Sequence, residues 1–422
     1  MRHSDASQES RNPKELRLTF VNVCSSVVAL ARERTSSRGR HPKKREAVKK
    51  TVAWGLSSVL SLTALAACGT NSDGGTTAVA GGSEACVAAA KKVVDAGRAD
   101  VTPFLPDIPV DAAAAKGKTV WMIQSTVTPL VTAVTEGFKA AGKDAGVNVK
   151  VVNGNGSIPT TVGAVSQAIA QKADGIVLFA IATTAVEAQV KEAKAAGIPV
   201  VDTYNSNIGT DLTASGFFGH VSADYAQGGK EVAAWMMADS NCDVDTAILG
   251  NAALQPHKAQ RDAALTEFKQ CGGSCKGDYV TLDLPKLATI AGPEAQQALR
   301  RDPKMKYIYS LLDGAVTFIA PSVQQSGRTD VKVASMGGDT ASLERIRSGK
   351  SIHKAVVAIP PQSYQGYAFM DQILRALTGG KAVDWKLTTR FIDKTNVGKS
   401  DADIFPQFDG VEAKFNTLWG IN

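Results

Sequence analysis

Cysteine, histidine and the carboxylates are the side chains of this 422-residue sequence whose spacing could mark chemistry. None of them falls into a catalytic pattern. There is no GxxxxGK(S/T) phosphate loop, no GxSxG nucleophile elbow and no HExxH metal pair. The stretch "NGNGSIP" contains Gly154 and Gly156 but no third glycine, and it follows a second strand rather than a first, so it reads as a turn. His220, His257 and His353 are too scattered to gather round one ion and are expected to serve as hydrogen-bonding groups. The Asp and Glu residues show no spacing that marks an acid–base pair. Cys86, Cys242, Cys271 and Cys275 have no nearby histidine, and "CGGSC" is a CxxxC spacing rather than the CxxC of redox enzymes. Four cysteines allow three disulfide pairings. Cys242 precedes a strand and Cys271 ends the helix that follows it, so a bond from Cys242 to Cys271 or Cys275 is expected. No enzyme activity, cofactor or metal is expected.

One cysteine stands apart. Lys43-Lys44-Arg45 and Lys49-Lys50 precede the apolar run "VAWGLSSVLSLTALAA", which ends at Cys68. A basic region, a short apolar region and small residues at the cut describe an export signal. The run is shorter than the roughly 20 residues a spanning helix needs. Leu65-Ala66-Ala67-Cys68 resembles the lipobox of bacterial lipoproteins, in which the cysteine thiol accepts the lipid and becomes the first residue after cleavage. The protein is therefore expected on the outer face of the cell membrane, held by its lipid, in a compartment that permits disulfides. Residues 1–67 hold 13 Lys/Arg against 5 Asp/Glu, which leaves 34 against 35 for the remainder of the chain. The basic pI belongs to the leader. The folded part carries no single-sign field, and nucleic acid is excluded as its partner.

The body repeats a strand–helix unit. Short β-branched runs at 119–123, 149–152, 175–180 and 198–203 alternate with Ala-rich helical stretches at 130–145, 161–172 and 184–196. Gly146, Gly175 and Gly197 stand at or just past the helix ends. The runs are apolar throughout, which predicts strands buried on both faces of a parallel sheet. After a Gly-rich loop at 214–229, four more strands follow at 246–250, 278–282, 306–312 and 331–336. Helices are expected at 225–239, 257–270, 293–301 and 314–326. The fold class is α/β, with two doubly wound parallel-sheet lobes. Ligands of such sheets bind beyond the carboxyl ends of the strands. Position alone then nominates Gln124, Ser125, Thr128, Thr183, Tyr204, Asn205, Gln255, His257 and Asp313 as ligand-binding residues. Upstream, "SEACVAAAKKVVDAG" predicts a helix over 83–97, preceded by the flexible Gly/Thr/Ser tether 69–83 and followed by a Pro-rich connector at 101–111.

Residues 118–390 resemble the periplasmic sugar-binding proteins of the ribose/galactose type, the substrate receptors of ABC importers. The segments that carry the resemblance include "TEGFKAAGKDAGVNVKVV", "AIAQKADGIVLF", "EAKAAGIPVVDT", "VSADYAQGGKEVAAWM", "SLLDGAVTFIAPSVQQSGRTDVKVASMGGD" and "PPQSYQGYAFMDQILRALTGG". The resemblance implies a hinge of three crossovers, near 215–222, 358–361 and 385–389. It implies a monomer that closes on a small sugar-like or cyclic ligand and delivers it to an ABC permease. The domain division is then 1–67 leader, 68–116 lipidated tether and helix, 117–219 with 359–386 as lobe 1, and 220–358 with 387–422 as lobe 2. Three polar positions of the sugar receptors fall here on Ala182, Leu312 and Ala358. Of the family's ligand contacts Asp339 and Arg261 remain. A ligand-sensing module feeding a membrane kinase or chemoreceptor is the alternative reading on the same fold. Related repressors carry a helix-turn-helix where this chain has its lipid signal.

No methionine lies between Met1 and the apolar run, and "VKKTVAWGLSSVLSLTALAAC" is a complete leader in itself. Translation is expected to begin at Val48. N-terminal mapping of the unprocessed precursor checks this, and a peptide beginning at Met1 overturns it.

Overall fold

The structure is a computed structural model that describes residues 80–421; the leader, Cys68 and the start of the tether lie outside the described residues. The chain enters through α1 (Ala80–Arg98). It then alternates β1 (Thr119–Gln124), α2 (Pro129–Asp144), β2 (Asn148–Asn153), α3 (Ile158–Ala170), β3 (Gly175–Phe179), α4 (Glu187–Ala195), β4 (Val200–Thr203) and β5 (Gly219–Ala223). The second series is α5 (Tyr225–Asp239), β6 (Asp245–Gly250), α6 (Gln255–Phe268), β7 (Lys276–Thr281), α7 (Leu287–Arg301), β8 (Tyr307–Ser310), α8 (Asp313–Gln325), β9 (Lys332–Gly337), α9 (Thr340–Ser348) and β10 (His353–Ala358). The chain ends with α10 (Gln362–Leu377), β11 (Trp385–Leu387), β12 (Arg390–Asp393) and α11 (Val411–Leu418).

Two six-stranded sheets result, ordered β11-β5-β4-β3-β1-β2 and β12-β10-β9-β8-β6-β7. All pairings are parallel except β10 with β12. The continuous apolar runs are buried as expected: Val120, Trp121, Met122 and Ile123 of β1 and all of β3 lie inside. Helices start where side chains accept their first amides. Thr128 caps α2, Ser157 caps α3, Asp224 caps α5 and Asp339 caps α9. Helix α7 starts two turns before the expected 293 and carries Pro293 inside it. Packing explains this: a Cβ on Gly292 would lie 2.7 Å from Ser322 of α8, so the close approach of the two helices outweighs the proline.

Three differences from the expected organisation concern how the lobes are joined. First, β5 completes the first sheet, although its residues were expected in a loop, and the chain crosses to the second lobe at Asp224 rather than near 215–222. The other two crossovers, at 359–361 and 388–389, lie where the resemblance placed them. Second, residues 387–422 do not stay with the second lobe. Asp401 accepts from Thr340 and Arg347 of that lobe, but α11 packs on α10 beside the first sheet. There Phe415 stacks on Trp385 at 5.8 Å and Trp419 on Tyr367 at 5.6 Å. Third, α1 packs along α5 and β12 of the second lobe, and the connector after it returns to the first. Phe104 meets Trp385 edge-on at 5.3 Å, and its carbonyl accepts from Tyr364 at 2.7 Å. Two more passages therefore flank the three crossovers.

The disulfides follow from the placing of α1. Cys242 bonds to Cys86 of α1, and Cys271 bonds to Cys275. The expected bond from Cys242 to Cys271 or Cys275 is not formed, because α1 lies against the end of α5 and brings Cys86 there first.

A buried charge anchors the returning segments. The Asp371 carboxylate accepts from Arg375 Nε at 2.7 Å, Trp385 Nε1 at 3.1 Å and Trp419 Nε1 at 2.9 Å. Arg375 Nη2 donates on to the carbonyl of Ile108 at 2.9 Å. Asp371 is fully buried and Arg375 almost so. Breaking a buried pair leaves the surviving charge unpartnered, which costs about 3–5 kcal/mol. Asp371→Ala is therefore expected to destabilise the protein by about that amount, against about 2 kcal/mol for Trp419→Phe, which removes one hydrogen bond to the charged group. Urea unfolding of the two variants checks the ratio.

Candidate functional site

The crossovers locate the site. The chain leaves β5, β10 and β11 at their carboxyl ends, and β12 begins with Arg390 opposite Ala358, the last residue of β10. Both sheets thus turn their carboxyl ends toward the junction. A Cβ on Gly156, after β2, would lie 3.7 Å from Cγ of Pro285, after β7, so the lobes approach each other along this rim. A depression of about 520 Å³ lined by Lys118, Lys172, Asp174, Pro199 and Leu377 lies at the opposite, amino ends of the first sheet and is not the interlobe site.

The wall of the first lobe carries strained backbone. Ala180 and Tyr204, just past β3 and β4, have φ of 55° and 68°. Such left-handed positions cost non-glycine residues about 1–3 kcal/mol and concentrate at functional sites. The turn at Tyr204 is held by a buried polar knot. Asp202, fully buried, accepts from Asn205 Nδ2 at 2.6 Å and Ser206 Oγ at 2.7 Å. Burial pushes its carboxyl up to about 6, against the pull of those two donors. The Tyr204 ring meets Phe179 at 5.3 Å, Phe369 at 6.0 Å and Tyr225 at 6.4 Å. Its hydroxyl donates to Gln365, whose amide donates in turn to the carbonyl of Pro360 in the second crossover. Asn207 Oδ1 accepts from the amides of Tyr225 at 2.9 Å and Ala226 at 3.3 Å, which ties the same loop to the start of α5. Gln365 and Asn207 were not among the nominated residues, because their proximity to the junction arises from the crossing of the chain.

The wall of the second lobe is built round Asp313. Its carboxylate accepts from Ser335 Oγ and from the amides of Gly338 and Asp339, the last at 2.9 Å. Burial, reinforced by the charge of Asp339, pushes the Asp313 carboxyl up to about 6. Gly337 and Gly338 are required here: φ is 148° and 82°, and a Cβ on Gly338 would lie 2.6 Å from Cβ of Ala358.

The nominated residues divide into two groups. Gln124 accepts from Thr135 at 2.9 Å, inside the first lobe. Thr128 and Asp339 cap helices, and Asn205 and Asp313 hold the two turns. His257 Nδ1 accepts the Asn251 amide at 3.0 Å, and burial pulls its pKa down to about 4. Arg261 is engaged with Asp262 at 2.6 Å and lies 5.0 Å over the Tyr279 ring. Ser125 and Thr183 are half-buried beyond β1 and β3, and Gln255 is exposed at the start of α6. Of the aligned apolar positions, Ala182 and Leu312 are half-buried and Ala358 is fully buried. His220 and His353 lie inside the sheets.

The family profile described as "periplasmic binding protein domain" matches residues 119–381. The chain belongs to this family. The binding protein is similar in structure to a sugar ABC transporter from Yersinia enterocolitica, with 21% identity and a TM-score of 0.64 over 75% of this chain and 99% of that one. It is similar also to an ABC transporter solute binding protein from Agrobacterium vitis with bound allitol, with 21% identity and a TM-score of 0.60 over 67% and 97% of the two chains. A third is a solute binding protein from Bacillus halodurans with bound myo-inositol, with 16% identity and a TM-score of 0.60 over 68% and 99%. These likenesses show the fold, which is that of the type I periplasmic binding proteins. No curated protein matches the binding protein in sequence. Among its described residues no helix is long and apolar enough to cross a membrane.

The buried carboxyls give a pH dependence. The folded-state pKa of Asp202 and of Asp313 lies at about 6, above the ordinary aspartate value of 3.8, so the folded protein holds protons there that the unfolded chain has released. Their contribution is greatest below pH 4 and is lost as pH rises through 6. The buried neutral His257 acts in the opposite sense, and its contribution is lost as pH falls from 6.5 toward 4. Asp202→Asn is expected to shrink the loss of stability between pH 4 and pH 7 by about 2–3 kcal/mol, taking 1.36 kcal/mol per pKa unit. Urea titrations of both proteins across that range check it.

Proposed function

We propose that the protein is the solute receptor of an ABC importer, anchored by lipid on Cys68, which captures a small neutral polyol-like or cyclic ligand between its lobes and presents the closed form to a permease. The observation that carries this reading is the junction itself. Two sheets offer their carboxyl ends to one space beside their crossovers, which suits a ligand that completes contacts with both lobes only when they close. Membership of the periplasmic binding protein family and the transporter structures that share the fold support it. In this reading the first lobe comprises β1 to β5 with α10, β11 and α11, and the second α5 to β10 with β12 and α1.

The ligand is proposed to be uncharged because the charged candidates are already spent. Asp313 is saturated by its own turn, Asp339 caps α9, and Arg261 is paired with Asp262. Ser125, Thr183, Gln255 and the edge of Tyr204 are proposed to meet the ligand.

A thermal-shift panel of pentoses, hexoses, linear and cyclic polyols, nucleosides and cyclic carboxylic acids tests the reading. A ligand at 100 times its dissociation constant stabilises by about 2.7 kcal/mol, which raises Tm by several degrees. The expected hits are polyols, with the shift lost in Tyr204→Ala. A shift confined to the carboxylic acids overturns the neutral ligand, and no shift with any compound overturns capture of this class. Mass spectrometry of the membrane-extracted protein should find acyl chains on Cys68, and Cys68→Ala should release the protein from the membrane.

A further inference from the structure

Four sulfurs meet at the outer end of the second lobe, away from the cleft. Cys86 and Cys242 are buried, whereas Cys271 and Cys275 are half-buried and close their own short loop. The two disulfides touch. Cys86 Sγ lies 3.9 Å from Cys271 Sγ, and the sulfurs of Cys86, Cys242 and Cys271 all lie within 4.8 Å of one another. Cys275 Sγ lies 3.3 Å from the carbonyl oxygen of Cys242. The loop between the outer cysteines is open at its glycines, where Gly272 and Gly273 take left-handed φ of 62° and 103° and no atom lies within 4 Å of where a Cβ would stand; Ser274 Oγ ties it to the Cys242 carbonyl at 2.6 Å.

We propose that this cluster is a thiol–disulfide exchange site with two pairings, Cys86–Cys242 with Cys271–Cys275 and Cys86–Cys271 with Cys242–Cys275, interconverted by a solvent thiol acting as catalyst. Exposure sets the order of events, since a thiolate from solvent meets the half-buried outer bond before the shielded inner one. The thiolate attacks Cys275 Sγ, forms a mixed disulfide and expels the Cys271 thiolate. Released from Cys275, Cys271 swings from its resting contact at 3.9 Å into line with the Cys86–Cys242 bond and attacks Cys86 Sγ, forming the Cys86–Cys271 bond and expelling the Cys242 thiolate. Cys242 then attacks Cys275 Sγ and returns the solvent thiol. Two disulfides are present before and after, and no oxidant or reductant is consumed. The exchange moves the attachment of α1 from the turn after α5 to the end of α6. The solvent thiol sets the rate of this change of attachment, and the relative stability of the two pairings sets its extent.

The test uses the full chain extracted in detergent. It is incubated for hours with about one-tenth equivalent of reduced glutathione, quenched with acid and an alkylating agent, and mapped by non-reducing peptide mass spectrometry. The expected result is peptides linked Cys86–Cys271 and Cys242–Cys275 in more than about a tenth of chains. Cys275→Ser leaves Cys271 as a permanent thiol and should show Cys86–Cys242 and Cys86–Cys271 together with no added thiol. Recovery of Cys86–Cys242 alone from both proteins, with Cys271 alkylated in the variant, overturns the proposal. So does loss of both wild-type bonds without a new pairing. If the variant does not fold, the wild-type measurement decides by itself.

Discussion

Three passages of the chain between the two sheets meet at one guanidinium. Arg390 opens β12 at the third crossover and is largely buried. Its Nε donates to the carbonyl of Arg98 at 3.1 Å, its Nη1 to the carbonyl of Ile404 at 2.6 Å, and its Nη2 pairs with Asp100 at 2.5 Å. The first and third contacts hold the connector after α1, and the second holds the segment that leads to α11. A planar, permanently charged fork can satisfy three acceptors in fixed directions, as a lysine cannot. One side chain therefore gathers the entering strap, a crossover and the returning strap.

The straps have anchors at their far ends. The Asp371 carboxylate binds Arg375, Trp385 and Trp419, and Arg375 reaches the connector at Ile108, so α10, β11, α11 and the segment before β1 share one buried charge pair. On the other lobe the Cys86–Cys242 bond fixes α1 to α5. The ends of the binding domain have thus exchanged lobes, with the amino-terminal helix on the second and the carboxyl-terminal helix on the first. A hinge of three crossovers flanked by two further passages has less freedom to open than the crossovers alone would have. The polar contacts near the cleft serve the same geometry: Tyr204 speaks to Pro360 through Gln365, and Asn207 holds the first turn of α5.

The candidate site was legible in outline and not in detail. Strand ends can be read from apolar runs, so residues beyond the carboxyl ends of the strands can be nominated. What each polar side chain does there depends on which neighbour it meets. Asn205 and Asp313 lie beyond strand ends, yet they hold the turns on which the cleft is built, because Asp202 and the amides of Gly338 and Asp339 take up their hydrogen bonds. Thr128 and Asp339 keep the helix-capping role that their sequence context supports. Gln365 left no local signal, since it is one polar residue on a buried helix face.

The sequence by itself determined the α/β class, the two lobes, the near-neutral charge of the folded part and most strands and helices. All of these rest on interactions between residues close in the chain or on composition: apolar periodicity, caps, glycine stops and charge counts. Only the tertiary structure decided β5, β11 and β12, the partner of Cys242, the lobe on which each terminus rests and the buried pair at Asp371. Short edge strands such as Trp385–Leu387 have too few residues for a pattern and exist because a neighbouring strand accepts their hydrogen bonds. A disulfide or a buried ion pair joins residues that are distant in sequence, and nothing local distinguishes the partner chosen from the ones passed over.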